Sequence, residues 1–264
     1  MTRRLRRAAA LIAVGLAARA RPAGAQARPF VFTVTTGAPS EQNAWTVQYD
    51  AGYGEQTASS LSYGGLEQRV SVQGALGRGF TVRGLFGVGM SADAGTGTQS
   101  TQEAELLKDV VAKPDGTSLA LGFGVRREWE GEATLLGRIA WGRVFDRSSL
   151  FGNLVVEKSL TAGRDDVDLI LTAGWIQRVG DSISLGLEAV GQDIEGLWEA
   201  DEAEGGARIF VGPTLHYAVT GQPFYLQLCG GPVVYASHSP RTSDAQRPLG
   251  AGGYTVRLAI GYAF

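Results

Sequence analysis

From residue 45 to its last residue, the chain alternates apolar and polar residues at every second position, in stretch after stretch. Trp45, Val47, Tyr49, Ala51 and Tyr53 are interleaved with Thr46, Gln48, Asp50 and Gly52. The same pattern carries Phe80, Val82, Phe86, Val88 and Met90, then Val167, Leu169, Leu171 and Trp175, and finally Tyr254 to Phe264. Successive side chains of a strand point to opposite faces, so period two describes strands with one apolar face. The spacing predicts twelve strands, over 45–53, 66–76, 79–90, 103–111, 117–127, 134–145, 149–158, 166–178, 182–192, 206–218, 223–234 and 253–264. Most are longer than the roughly 5–6 residues common in globular sheets and match the roughly 9–11 needed to cross a bilayer at a tilt.

Three places strain the pattern. Ser100 to Glu103 also reads as a capping box, and Leu106, Leu107, Val110 and Val111 fit a helical face as well as a strand. Arg143 shares parity with Ile139 and Trp141 in the sixth strand. Pro213 and Pro232 lie inside strands, where a missing N–H predicts a bulge or a local break.

Loop lengths supply an independent constraint. Tight turns such as Gly77-Arg78, Lys113-Pro114-Asp115-Gly116, Asp146-Arg147-Ser148, Gly180-Asp181 and Gly221-Gln222 join alternate strand pairs. The other connections, 54–65, 91–102, 159–165, 193–205 and 235–252, are mostly long and polar. Short and long connections alternating around an even number of antiparallel strands is the plan of a transmembrane barrel. The expected fold is therefore all-β, an antiparallel up-and-down transmembrane β-barrel of about twelve strands over 45–264. A soluble sandwich or lipocalin-like barrel would instead need polar outward faces. Trp45, Phe80, Trp175, Tyr217, Phe224, Tyr262 and Phe264 at one end, with Tyr53 and Tyr254 at the other, suit interfacial aromatic girdles.

The N-terminus adds a compartment. Arg3, Arg4, Arg6 and Arg7 precede an apolar run from Ala8 to Ala18, and Ala23-Gly24-Ala25 offers a small-x-small cleavage site. Residues 1–25 read as a secretory signal peptide, with an apolar run too short for the roughly 20 residues of a spanning helix. Removing it takes away six arginines and no acid, changing the formal charge from −2 to −8. An acidic exported chain is a poor nucleic-acid binder. One cysteine, Cys229, and two histidines leave neither an internal disulfide nor a His/Cys zinc cluster, and no cofactor or metal is expected. Residues 26–44 are expected to form a short periplasmic segment.

The ending Leu258, Ile260, Tyr262 and Phe264, with Phe264 terminal, resembles the C-terminal signal of Gram-negative outer-membrane β-barrel proteins, a porin-like class. That resemblance implies recognition by the β-barrel assembly machinery, contact with outer-membrane lipids, and residence in the bacterial outer membrane. Loop alternation then places the termini and short turns in the periplasm.

With apolar positions facing lipid, the lumen receives Arg126, Arg138, Glu157, Asp168, Glu188, Arg208 and Arg257, together with Gln48, Asp50, Gln73, Arg83, Asn153, Gln192, His216 and Gln227. Glu157, Asp168 and Glu188 fall on strands seven to nine, and the four arginines on strands five, six, ten and twelve. This predicts an acidic wall facing basic arcs across a constriction, suited to small polar solutes. The alternative is that the charges pair and plug a non-conducting structural or surface-interaction barrel. The acidic loop 193–205 reads as solvated, with calcium binding the weaker reading. A lipid-acting hydrolase is disfavoured, because His216 points inward and His238 merely neighbours Ser237 and Ser239. The favoured reading is a non-enzymatic narrow passive pore, its solute and oligomeric state left open.

Overall fold

The alternation resolves into strands that pair only with their neighbours in sequence, until the last meets the first. The computed structural model describes residues 29–35, 45–55, 64–91, 98–128, 133–160, 167–198, 207–237 and 252–264. The strands are β1 (Trp45–Glu55), β2 (Gly64–Gly77), β3 (Phe80–Ser91), β4 (Thr98–Ala112), β5 (Thr117–Glu128) and β6 (Ala133–Val144). They continue as β7 (Ser148–Ser159), β8 (Asp168–Arg178), β9 (Ile183–Gln192), β10 (Arg208–Ala218), β11 (Phe224–Tyr235) and β12 (Gly252–Ala263). All pairs are antiparallel, and the order closes on itself as a twelve-stranded barrel. At the seam, the Trp45 N–H donates to the Phe264 carbonyl and the Phe264 N–H to the Trp45 carbonyl, both at 2.8 Å.

The two faces settle which solvent surrounds the wall. On β5, Leu121, Phe123 and Val125 point outward and are 50%, 63% and 49% exposed, while Arg126 on the other face is 5% exposed. The barrel therefore exposes its apolar side and buries its polar one, the inverse of a water-soluble barrel and the arrangement lipid demands. Arg143, the outward arginine of β6, sits beside the rim formed by the short turns, its guanidinium 5.3 Å from the Phe145 ring. There it can reach the headgroup layer.

The strained places each have a local cause. β4 is a strand and begins five residues earlier than expected, at Thr98. Its register against β5 shifts between Asp109 and Val111, while the mixed pattern comes from Leu107, an apolar side chain buried on the inward face next to the outward Leu106. Pro213 and Pro232 face outward. The β10–β11 ladder lapses between the Phe210–Val233 and Thr214–Cys229 pairs and resumes in the same register. The expectation of local breaks therefore holds. At the tightest turn, Gly77, Arg78 and Gly79 all have positive φ, of 87°, 52° and 75°. Glycine adopts that region without steric cost, which is why two flank the one side chain forced into it.

The segment ahead of the barrel departs from expectation. Residues 29–35, expected as part of a periplasmic segment, run inside the barrel, with Phe30, Val31, Thr33, Val34 and Thr35 all buried. The signal peptide, residues 26–28 and 36–44, and most of loops 193–205 and 235–252 lie outside the described residues.

Candidate functional site in the barrel lumen

Parity sends the polar half of every strand inward, and the lumen is consequently a low-dielectric enclosure filled with ionisable side chains. Of the residues expected there, Arg126, Arg138, Glu157, Glu188 and Arg257 are buried inside it. Arg208 is partly buried near the rim carrying the long loops, and Asp168 starts β8 opposite Glu157.

Their arrangement differs from an acidic wall facing a basic one. Arg126 grips Glu157 with both terminal nitrogens, at 2.6 and 2.5 Å. Arg138 holds both oxygens of Glu105 through Nε and Nη2, at 2.8 and 3.1 Å. Arg83 bridges Glu103 and Glu105, each at 2.5 Å. Arg257 joins Asp50 at 3.0 Å and also contacts Glu67, while Arg69 holds Asp50 from the other side at 2.8 Å. Arg208 pairs with Asp193 at 2.5 Å. The signs therefore interleave instead of segregating, because an enclosed charge without a partner is far more costly than one that is paired and hydrogen-bonded.

Three of these pairs skip a strand. Arg126 of β5 reaches over β6 to Glu157 of β7, Arg257 of β12 reaches over β1 to Glu67 of β2, and Arg138 of β6 reaches over β5 to Glu105 of β4. The last crossing passes Gly122 and Gly124. A Cβ at Gly124 would lie 2.6 Å from Glu105 Cγ, and one at Gly122 would lie 3.2 Å from Arg138 Cβ. Glu67, Arg69, Glu103 and Glu105 were missed from sequence. Glu103 and Glu105 sit on the strand whose helical alternative left its faces unassigned. Glu67 and Arg69 share the inward parity of Gln73, a signal that was present.

The opposite arc of the wall is covered by residues 29–35, the strap. Glu188 accepts hydrogen bonds from the backbone N–H groups of Val31, Phe32 and Thr33, at 3.0, 2.8 and 3.3 Å. Asn153 engages Val34 twice: its Oδ1 accepts from the Val34 N–H at 2.8 Å, and its Nδ2 donates to the Val34 carbonyl at 2.9 Å. Gln73 donates to the Thr35 carbonyl at 3.1 Å. Phe30 packs edge-on to Phe151, and Val31 joins Val190, Phe210, Cys229 and Val233. Gly174 makes room for this, since a Cβ there would stand 2.6 Å from the Phe30 ring. The only sequence signal was the run of apolar and β-branched residues Phe30-Val31-Phe32-Thr33-Val34, which is out of place in water.

Between strap and ion pairs remains a cavity of about 80 Å³, bordered by Val31, Phe32, Asp50, Arg69, Arg83, Glu103, Arg138 and Glu157. That is room for a few waters. Among the described residues no His, Cys, Asp and Glu group could hold a metal ion. Asp193 is taken by Arg208, and Glu195 accepts from the Leu169 N–H at 2.8 Å. The other acids of that loop, Glu199, Asp201, Glu202 and Glu204, lie outside the described residues. His216 faces inward beside Tyr225, ring centres 5.9 Å apart. Ser237 Oγ accepts from the Ala207 N–H at 2.8 Å, and His238 lies outside the described residues.

No protein-family model matches the chain, and a sequence comparison with curated proteins gives no match. Solved structures do resemble it. The KdgM porin in complex with disordered oligogalacturonate has a TM-score of 0.58 at 11% identity, over 83% of this chain and 99% of that one. The NanC porin has a TM-score of 0.58 at 7% identity, over 82% and 98%. The COG4313 outer-membrane channel from Pseudomonas putida F1 has a TM-score of 0.53 at 9% identity, over 90% and 100%. At such identities the likeness is one of architecture, and the chain has the fold of outer-membrane porins and channels.

Proposed function

We propose that the protein is an integral barrel of the bacterial outer membrane and a narrow passive pore for small polar solutes, without catalytic activity. Its short turns and termini face the periplasm. Outer-membrane lipids contact its apolar face, and the β-barrel assembly machinery reads the ending Leu258, Ile260, Tyr262 and Phe264. The observation that carries the pore is a water-sized cavity inside a wall lined by Asp50, Arg69, Arg83, Glu103, Arg138 and Glu157. The KdgM porin was solved in complex with disordered oligogalacturonate. In this lumen the carboxylates of Asp50, Glu67, Glu103, Glu105, Glu157, Glu188, Asp193 and Glu195 outnumber the guanidinium groups of Arg69, Arg83, Arg126, Arg138, Arg208 and Arg257. That balance favours neutral or cationic solutes over polyanions.

Refolded protein in a planar bilayer tests the reading. Discrete conductance steps are the expected outcome, and silent bilayers from correctly folded, heat-modifiable barrel would reject the pore. A second reading, a non-conducting structural barrel, is favoured by one observation, the strap lying in the lumen beside arginines that are all ion-paired.

A further inference from the structure

We propose that residues 29–35 are a removable internal gate, and that Glu188, the residue holding them, sets a preference for cations once they leave. The inference rests on the pore reading and deepens it.

Removability follows from how the strap is held. Among the described residues it makes no backbone-to-backbone hydrogen bond with any strand. Its polar contacts run to the side chains of Glu188, Asn153 and Gln73. Every strand of the wall, meanwhile, is paired on both sides without it. Withdrawing the strap therefore costs side-chain contacts and apolar burial and leaves the ladder closed. A wall that needed the strap would share backbone bonds with it.

The role of Glu188 follows from what compensates its charge. Among the described residues, no ion pair of the lumen includes it. The strap's backbone N–H groups stand where a guanidinium stands for Asp50, Glu105 and Glu157. When they depart, a carboxylate six residues along β9 faces the lumen with those three donors removed. In a narrow passage with low-dielectric walls, one such charge dominates the local potential and concentrates cations. The same residue then closes the pore with the strap in place and filters with the strap out.

Cys229, fully buried against Val31, is a built-in reporter on the same arc. The experiment compares folded wild-type barrel, a variant lacking residues 29–35, Glu188→Gln, and the two changes combined. Each is read by modification of Cys229 with a small neutral methanethiosulfonate and by bilayer conductance under a potassium chloride gradient. Deletion should speed Cys229 modification at least about tenfold, as loss of a local protecting element does. It should also raise conductance severalfold and move the reversal potential toward that of potassium. Glu188→Gln alone should speed modification less, and in the deletion background it should move the reversal potential back toward zero. Unchanged modification on deletion would overturn the gate. An unmoved reversal potential in the combined variant would overturn the filter. Fast modification with silent bilayers would overturn the pore reading itself, and the filter with it. Should the deletion fail to fold, Val31→Asp, which expels the strap without shortening the chain, carries the same expectations.

Discussion

Two arcs of the lumen wall neutralise buried carboxylates in different ways. On β1 to β7 and β12, Asp50, Glu67, Glu103, Glu105 and Glu157 are met by guanidinium groups projecting from the wall itself. On β7 to β11, Glu188 is met by the backbone of a segment that is not part of the wall. In the first arc both partners are built into the sheet, so the charges brace it. In the second the compensating dipoles can leave, and the charge they cover changes character when they do. The first arc is expected to govern stability and the second to govern access.

The largest effect that sharpens this contrast is Arg257→Ala. It strips a fully buried guanidinium from Asp50 and Glu67 and should destabilise the barrel by about 3–5 kcal/mol. Denaturant unfolding in detergent micelles measures it, and a loss below about 1 kcal/mol would erase the distinction between the arcs. Gly174→Val comes next. Its new side chain meets Phe30, so the strap should be displaced while the wall repacks, at a cost of about 1–3 kcal/mol. Hydrogen exchange is the readout: the amides of Val31 to Val34 should lose protection while those of β8 keep theirs. Equal loss in both would mean that strap and wall are one unit.

How far the sequence foretells these arcs depends on range. Period-two alternation located eleven strands closely, because each residue's face follows from its neighbours. It faltered at β4, where the inward Leu107 and the outward Leu106 are both apolar, so neither face reads as the polar one. Parity also placed Arg126, Arg138, Glu157, Glu188 and Arg257 inside. It could not say which would meet, since Arg126 and Arg138 pass over an adjacent strand to find their partners. That reach depends on what the intervening strand presents, such as Gly124, and not on the arginines themselves. The strap was illegible for a related reason. Seven residues with no strand partner leave no periodic trace, and their polar contacts lie 38 to 157 residues away, at Gln73, Asn153 and Glu188.

The smallest expected effect lies outside both arcs and serves as their control. In the Lys113 to Gly116 turn, the Thr117 N–H donates to Asp115 Oδ1 at 3.0 Å, and this bond holds the Asp115 carboxyl below its ordinary value of 3.8. A depressed carboxylate contributes stability above its unfolded value and loses it as pH falls through the lower folded one. Wild type minus Asp115→Asn should therefore show a slight stability difference at neutral pH that vanishes in strong acid. Thermal unfolding of both proteins between pH 7 and pH 2 checks it. A difference as large as that of Arg257→Ala would mean that rim turns, and not lumen pairs, brace the barrel.

The reciprocal bonds between Trp45 and Phe264 also bear on the order of events during folding. The two strands that close the ring stand at opposite ends of the barrel sequence, so its final pairing has the highest contact order the wall permits. Until the last residue arrives, β1 and β12 are both open edges, each offering unpaired N–H and carbonyl groups to any other chain. The strap precedes β1, and the channel it occupies does not exist until that seam shuts. It must therefore either be enclosed as the ring closes or enter afterwards from the end where β1 begins. A nascent barrel is thus exposed to mispairing for as long as its own C-terminus is missing.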